Sequence, residues 1–119
     1  MKMIIAIIRT ERLEAVEEAL QRVLDEGDSY RLTVDTVEGH GRQEGEVEIF
    51  RGRTVRSRMV EKKRVTICIN DGYVEKTIDA IVGAARSGEK GAVGDGKIFV
   101  VPLEEAVRIR TGERGGKAI

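Results

Sequence analysis

Residues 2–8, Lys-Met-Ile-Ile-Ala-Ile-Ile, are apolar almost without interruption, the pattern of a strand covered on both faces. Leu13, Val16, Leu20, Val23 and Leu24 then recur at three and four with glutamates between them, which predicts an amphipathic helix capped by Thr10 and ended across residues 25–29 at Gly27. Alternation of Leu32 and Val34 with Thr33 and Asp35 predicts a second strand over 30–37. From 39 to 63 glycine and charge interrupt any regular pattern, and a loop of that length in a small domain is usually functional. A third strand is predicted over 64–69. A second helix follows, capped by Asp71, with Val74, Ile78, Ile81, Val82 and Ala85 on its buried face and Gly88 closing it. A glycine-rich loop covers 89–96, a fourth strand 97–101 is stopped by Pro102, residues 103–106 make one helical turn, and 107–110 run extended.

The order β-α-β, long loop, β-α-β in 119 residues predicts a single α+β domain, a ferredoxin-like βαββαβ sandwich. Two helices cover one face of such a sheet. With so many apolar strand residues the other face is expected to be buried by self-association.

Composition narrows the function. Twenty-one basic residues balance 21 acidic ones and only 3% of residues are aromatic, which argues against a general nucleic-acid binder. Basic residues nevertheless crowd 51–64, read as a solvated loop or a surface that docks onto something anionic. The lone Cys68 excludes an internal disulfide and a thiolate metal cluster, and the lone His40 has no assigned role. No leader pattern or membrane-length apolar run is present, so a cytoplasmic protein without membrane insertion is expected. Gly94-Asp-Gly-Lys97 places backbone N–H groups and an ammonium where an anion can approach, and Arg108 and Arg110, spaced to share one face, follow the next strand. Taken together they suggest a polyphosphate clamp. No general base, nucleophile or carboxylate pair accompanies it, so no enzymatic turnover is expected.

Several spaced motifs coincide with one family. The opening Met-Lys-Met-Ile-Ile-Ala-Ile-Ile-Arg, Gly39-His-Gly-Arg-Gln-Glu-Gly45, Glu48-Ile-Phe-Arg-Gly52, Lys62, Gly94-Asp-Gly-Lys-Ile-Phe-Val100 and Arg108-Ile-Arg-Thr-Gly-Glu113 resemble the PII nitrogen-regulatory signal-transduction proteins, in order along the whole chain. The resemblance implies a compact homotrimer, a T-loop at about 39–63, a B-loop at about 88–97 and a C-terminal loop at about 107–119. It also implies competitive binding of ATP or ADP between subunits, binding of 2-oxoglutarate with Mg-ATP, and control of an ammonium transporter or of a nitrogen-metabolism enzyme or regulator. Residue by residue, nucleotide contacts are expected from Thr33, Gly39, Gly41, Arg42, Gln43, Thr66, Gly94, Asp95, Gly96 and Lys97, with Arg108 and Arg110 reaching the phosphates from a neighbouring subunit. Gln43, Lys62, Gly41 and Gly94 match the 2-oxoglutarate site, Gln43 also helping to hold magnesium, and Phe50 and Arg51 match the docking tip.

The chain departs from the family pattern in places. Val55 stands where the uridylylated tyrosine is usual and Arg53 where some members have a phosphorylated serine, so control by small ligands alone is expected, with Thr54 and Ser57 nearby. Phe50 replaces a tyrosine, Thr66 replaces a glutamate near the adenine, and Lys90-Gly-Ala-Val93 extends the B-loop. The alternatives are a PII-like adenylate sensor without 2-oxoglutarate coupling, or a basic-loop module for an acidic protein or nucleic acid.

Overall fold

A computed structural model describes residues 1–25, 30–41, 48–50, 53–55 and 58–119, with 48–50 and 53–55 described as backbone alone. The strands are β1 (Lys2–Arg9), β2 (Leu32–Gly41), β3 (Glu48–Phe50), β4 (Arg53–Val55), β5 (Arg58–Ile69) and β6 (Gly96–Pro102), and the helices α1 (Leu13–Val23) and α2 (Val74–Ala85). Four strands form one antiparallel sheet in the order β2-β5-β1-β6, with α1 between β1 and β2 and α2 between β5 and β6. That is the split βαβ arrangement of the ferredoxin-like fold expected from the element order.

The alternation along β1 decides which side is core. Ile4, Ala6 and Ile8 are buried, as are Val65, Ile67 and Ile69 of β5, and they pack against Val16 and Leu20 of α1, Leu24 just beyond it, and Ile81 and Ala85 of α2. Thr77 also lies in this core, a polar residue that the apolar periodicity passed over. Its hydroxyl donates to the Tyr73 carbonyl at 2.7 Å, so burial leaves no unmet hydrogen bond.

Side chains on the opposite face are Met3, Ile5 and Ile7 of β1, Thr66 and Cys68 of β5, and Phe99 and Val101 of β6, because each stands one residue out of step with the core positions. No helix covers them. Phe99 is 51% exposed and Val101 38%, so this face is an apolar surface open to solvent in the single chain.

Several boundaries differ from the sequence expectation. The second strand starts at Leu32 and the third strand begins at Arg58, so the stretch 39–63 is not free of regular structure. Beyond the pair Arg9–Lys62, where β1 ends, β2 and β5 continue as a two-stranded ribbon from Glu38–Glu61 to Gly41–Arg58, and β3 pairs with β4 farther along the chain. Backbone pairing needs no side-chain periodicity, and at Gly41 a Cβ would strike the Val60 side chain, so the glycine that reads as a breaker is what lets the strands stay close. Accordingly Lys63 and Arg64 are not solvated loop residues: Lys63 donates to the Thr36 hydroxyl at 2.7 Å and Arg64 Nε to Asp35 at 3.0 Å.

Neither predicted cap is one. Thr10 opens a 3-10 turn, Thr10–Arg12, whose N-cap is Arg9, and Asp71 opens a second, Asp71–Tyr73, after Asn70. Asp71 instead accepts from the N-terminal ammonium at 2.9 Å and from Lys2 at 3.2 Å, which draws its carboxyl below the usual range. Gly88, at φ 66°, lies in the turn after α2 rather than at its last turn. Residues 103–106 form no helical turn, and 107–110 are not extended: Val107 bridges Arg114 and the chain turns through 109–111, with Arg108 N–H on the Glu113 carbonyl at 2.9 Å. Helix appears later, in a 3-10 segment Gly115–Ala118.

Leu20→Ala removes a fully buried side chain where helix and sheet meet, and is expected to destabilise the fold by roughly 2–5 kcal/mol. Urea unfolding at fixed protein concentration checks this through a lower midpoint with an unchanged slope; an unchanged midpoint would contradict the packing described.

Candidate functional site

The face without helices carries Thr33, Lys62, Thr66 and Lys97 as well as the apolar patch. Arg9, Lys62 and Val37 stand side by side across β1, β5 and β2, and β6 begins at Gly96 next to Ile8. The end of β1, the start of β6 and the middles of β2 and β5 thus meet at one end of the main sheet. Gly39 and Gly41 lie two and four residues farther out along β2.

The loop 86–96 is held at this end by Asp95. Its carboxylate accepts from the Ser87 hydroxyl at 2.7 Å, the Ser87 N–H at 2.9 Å, the Ala92 N–H at 2.8 Å and Arg9 Nε at 3.1 Å. The Ser87 bonds, then the Ala92 N–H and Arg9, hold the carboxyl far below the usual carboxylate range, against the opposing effect of burial. With its oxygens so engaged, Asp95 shapes the loop from inside and directs no free lone pair at an anion. Gly96 follows at φ 111°, pressed onto the backbone of Ile7 so closely that a Cβ would collide with the Ile7 carbonyl.

Two cations converge beside Gly94. A Cβ built there would lie 3.1 Å from Arg9 Nη2 and 3.8 Å from Lys62 Nζ. Arg9 Nη2 donates to the Val93 carbonyl at 2.9 Å and Lys62 Nζ to the Gly94 carbonyl at 2.6 Å. Partial burial, and after it the Arg9 charge, lower the Lys62 pKa, while Glu11 and Asp95 act in the opposite direction. Lys97, exposed on the same face at the start of β6, adds a third positive charge. An anion arriving here meets charges already oriented by the loop, which is the electrostatic advantage of a preformed site.

The two arginines are elsewhere. β6 carries the chain across the sheet, roughly 20 Å for a strand of this length, so Arg108 and Arg110 stand at the opposite end from Lys97. There Arg108 Nη1 pairs with Glu113 at 3.2 Å and Nη2 donates to the Lys117 carbonyl at 3.0 Å, while Arg31, Arg108 and Arg110 with Ala118 and Ile119 line a cavity of 370 Å3. Thr33 and Thr66 face each other across β2 and β5 toward this second end. Between the two ends Asp35 and Arg64 neutralise one another, a nearly half-exposed pair worth little to stability. One chain therefore presents two cationic regions on one sheet, too far apart to hold the same phosphate group.

Arg42, Gln43 and Arg51 lie outside the described residues, and of Phe50 only the backbone, in β3, is described. Among the described residues no three His, Cys, Asp or Glu side chains gather to hold a metal ion, and no helix is long and apolar enough to cross a membrane. Sequence reasoning assigned no role to Arg9, Ser87 or Arg31. An arginine ending a run of apolar strand residues was the available signal for Arg9; Ser87 and Arg31 had none, because neither falls in a spaced motif or on an apolar periodic face.

The chain matches the family model "Nitrogen regulatory protein P-II" over residues 1–113. It is 47% identical over 119 residues to nitrogen regulatory protein GlnK1 of Methanosarcina mazei, covering 100% of this chain and 97% of the relative. It is 45% identical to nitrogen regulatory protein P-II of Azospirillum brasilense and 44% to nitrogen regulatory protein P-II 2 of Methanothermobacter thermautotrophicus, covering this chain fully and 100% and 97% of those proteins.

Because the folded pKa of Asp95 is depressed, its stabilisation is present above the unfolded value of about 3.9 and is lost as pH falls through the folded pKa. Asp95→Asn is expected to cost roughly 2–3 kcal/mol at neutral pH through its charge-assisted bonds. Melting measured against pH should show wild type and variant converging only well below the ordinary carboxylate range; a gap of constant size down to the lowest pH at which both fold would count against this role.

Proposed function

Since the chain belongs to the nitrogen regulatory protein P-II family and is a nitrogen signal-transduction regulator, we propose that it senses ATP or ADP and, with Mg-ATP, 2-oxoglutarate, in clefts between copies of itself in a homotrimer. The observation that carries this reading is the separation of the two cationic regions. Loop 86–96 with Arg9, Lys62 and Lys97 offers one half of a polyphosphate site, Arg108 and Arg110 the other, and a second copy supplies whichever half the first lacks. The uncovered Met3, Ile5, Ile7, Phe99 and Val101 supply the apolar area for that association.

In this reading Gly94 and Gly96 bring backbone N–H groups to the phosphates, Asp95 keeps the loop in shape, and Thr33 and Thr66 lie on the base side. Gln43 would help to hold a magnesium ion carried by ATP, and that ion would supply positive charge for a dicarboxylate. Lys62 exchanges the Gly94 carbonyl for the distal carboxylate of 2-oxoglutarate, recovering the ammonium stabilisation that burial and Arg9 take away. Lys62 stands where the ribbon leaves the main sheet and Gln43 follows β2 in the chain, so occupancy biases the conformation of the segment between them, which carries Phe50 and Arg51 to a partner such as an ammonium transporter or a nitrogen-metabolism enzyme. Inverting a two-state loop from mostly one form to mostly the other takes roughly 5.5 kcal/mol of differential binding.

A second reading, an adenylate sensor without 2-oxoglutarate coupling, draws on the Lys62–Gly94 bond, which the dicarboxylate must displace. Titration calorimetry separates the two. Binding of 2-oxoglutarate only with ATP and magnesium present is expected, whereas ATP binding without that dependence selects the second reading, and no nucleotide binding rejects both. Light scattering is expected to give a trimer, and Phe99→Asp, which puts a charge on the open face, to dissociate it. Arg51→Glu is expected to abolish partner capture while ATP binding persists; undiminished capture would remove the docking role.

A further inference from the structure

Arg31 precedes β2 and lines the 370 Å3 cavity with Arg108 and Arg110, although the segments lie far apart in the chain. Three guanidiniums around one solvent-filled space repel one another; Glu113 pairs with Arg108, and the terminal residue Ile119 also lines the space. Arg31 donates to the neighbouring Tyr30 carbonyl at 2.8 Å, and Arg110 makes no ion pair among the described residues. Among the described residues Arg108 is thus the one of the three with an ion-pair partner. In the chain Arg31 stands two residues before Thr33, and the cavity brings it beside the arginine pair.

We propose that Arg31 is a third cation of this anion pocket and a specificity-determining residue for the charge of the bound polyphosphate. The proposal rests on the nucleotide reading above for its natural ligand, but on geometry alone for the pocket. A planar guanidinium offers paired donors to phosphate oxygens, and its attraction grows with each further negative charge placed within reach. Arg31 thereby favours highly charged phosphate chains over a monophosphate.

The test is calorimetry of wild type, Arg31→Ala and Arg31→Lys with ATP, AMP and inorganic tripolyphosphate, at constant ionic strength and with folding checked by circular dichroism. Loss of one charge-assisted contact is expected to weaken ATP and tripolyphosphate by about tenfold or more in Arg31→Ala, AMP by clearly less, and Arg31→Lys to fall between. Equal weakening of AMP and ATP with tripolyphosphate unaffected would mean that Arg31 contacts the base, and would overturn the proposal, as would unchanged affinities throughout. Wild-type binding of tripolyphosphate but not ATP, lost in Arg31→Ala, would reject the nucleotide reading and uphold the pocket. A wild type that binds neither would reject both.

Discussion

The central strand β1 is hydrogen-bonded along its length to β5 on one side and β6 on the other, and the placement of every functional group follows from that double pairing. It sets Arg9 beside Lys62 and brings the start of β6 to the same end of the sheet, so that the loop before β6 has to close over Arg9. It also fixes the alternation by which one side of the sheet becomes core and the other an uncovered apolar surface. A shift of register by one residue would exchange Ile4, Ala6 and Ile8 for Met3, Ile5 and Ile7 and move the cations to the helix side.

Electrostatics is arranged around this frame by cancellation in the middle and surplus at the ends. Asp35 consumes Arg64, and Asp95 is consumed within its own loop by Ser87, Ala92 and Arg9. Among the described residues around the site, Lys97 and the partly satisfied Lys62 at one end and Arg31 and Arg110 at the other make no ion pair. A chain of zero formal charge thus keeps two positive regions, and net charge alone gave no sign of them. Their separation along β6 makes association between copies a functional requirement in the proposed reading, over and above a way to cover apolar surface.

Apolar periodicity was enough to locate both helices and all four strands of the main sheet, because burial against one common core imposes periods of two and 3.6 that composition cannot hide. The motif Gly94–Lys97 was equally legible, since glycines at a tight approach leave a local mark. The ribbon beyond β1 was not. Its strands pair with each other and face solvent, so no burial pattern marks them, and the glycines at 39 and 41 read as breakers. Thr10 and Asp71 failed as caps because each opens a 3-10 turn ahead of its helix, and Asp71 is taken by the N-terminal ammonium and Lys2.

The sequence by itself therefore determined the α+β order, the core, the family and the residue types able to meet a phosphate, all of which depend on local spacing along the chain. Only the tertiary structure decided that Asp95 serves its own loop, that Arg9 joins Lys62 over Gly94, and that Arg108 and Arg110 share a cavity with Arg31 at the far end of the sheet. Those facts arise from strand register and strand length, which place residues distant in sequence at fixed positions in space, and no period within a single segment encodes them.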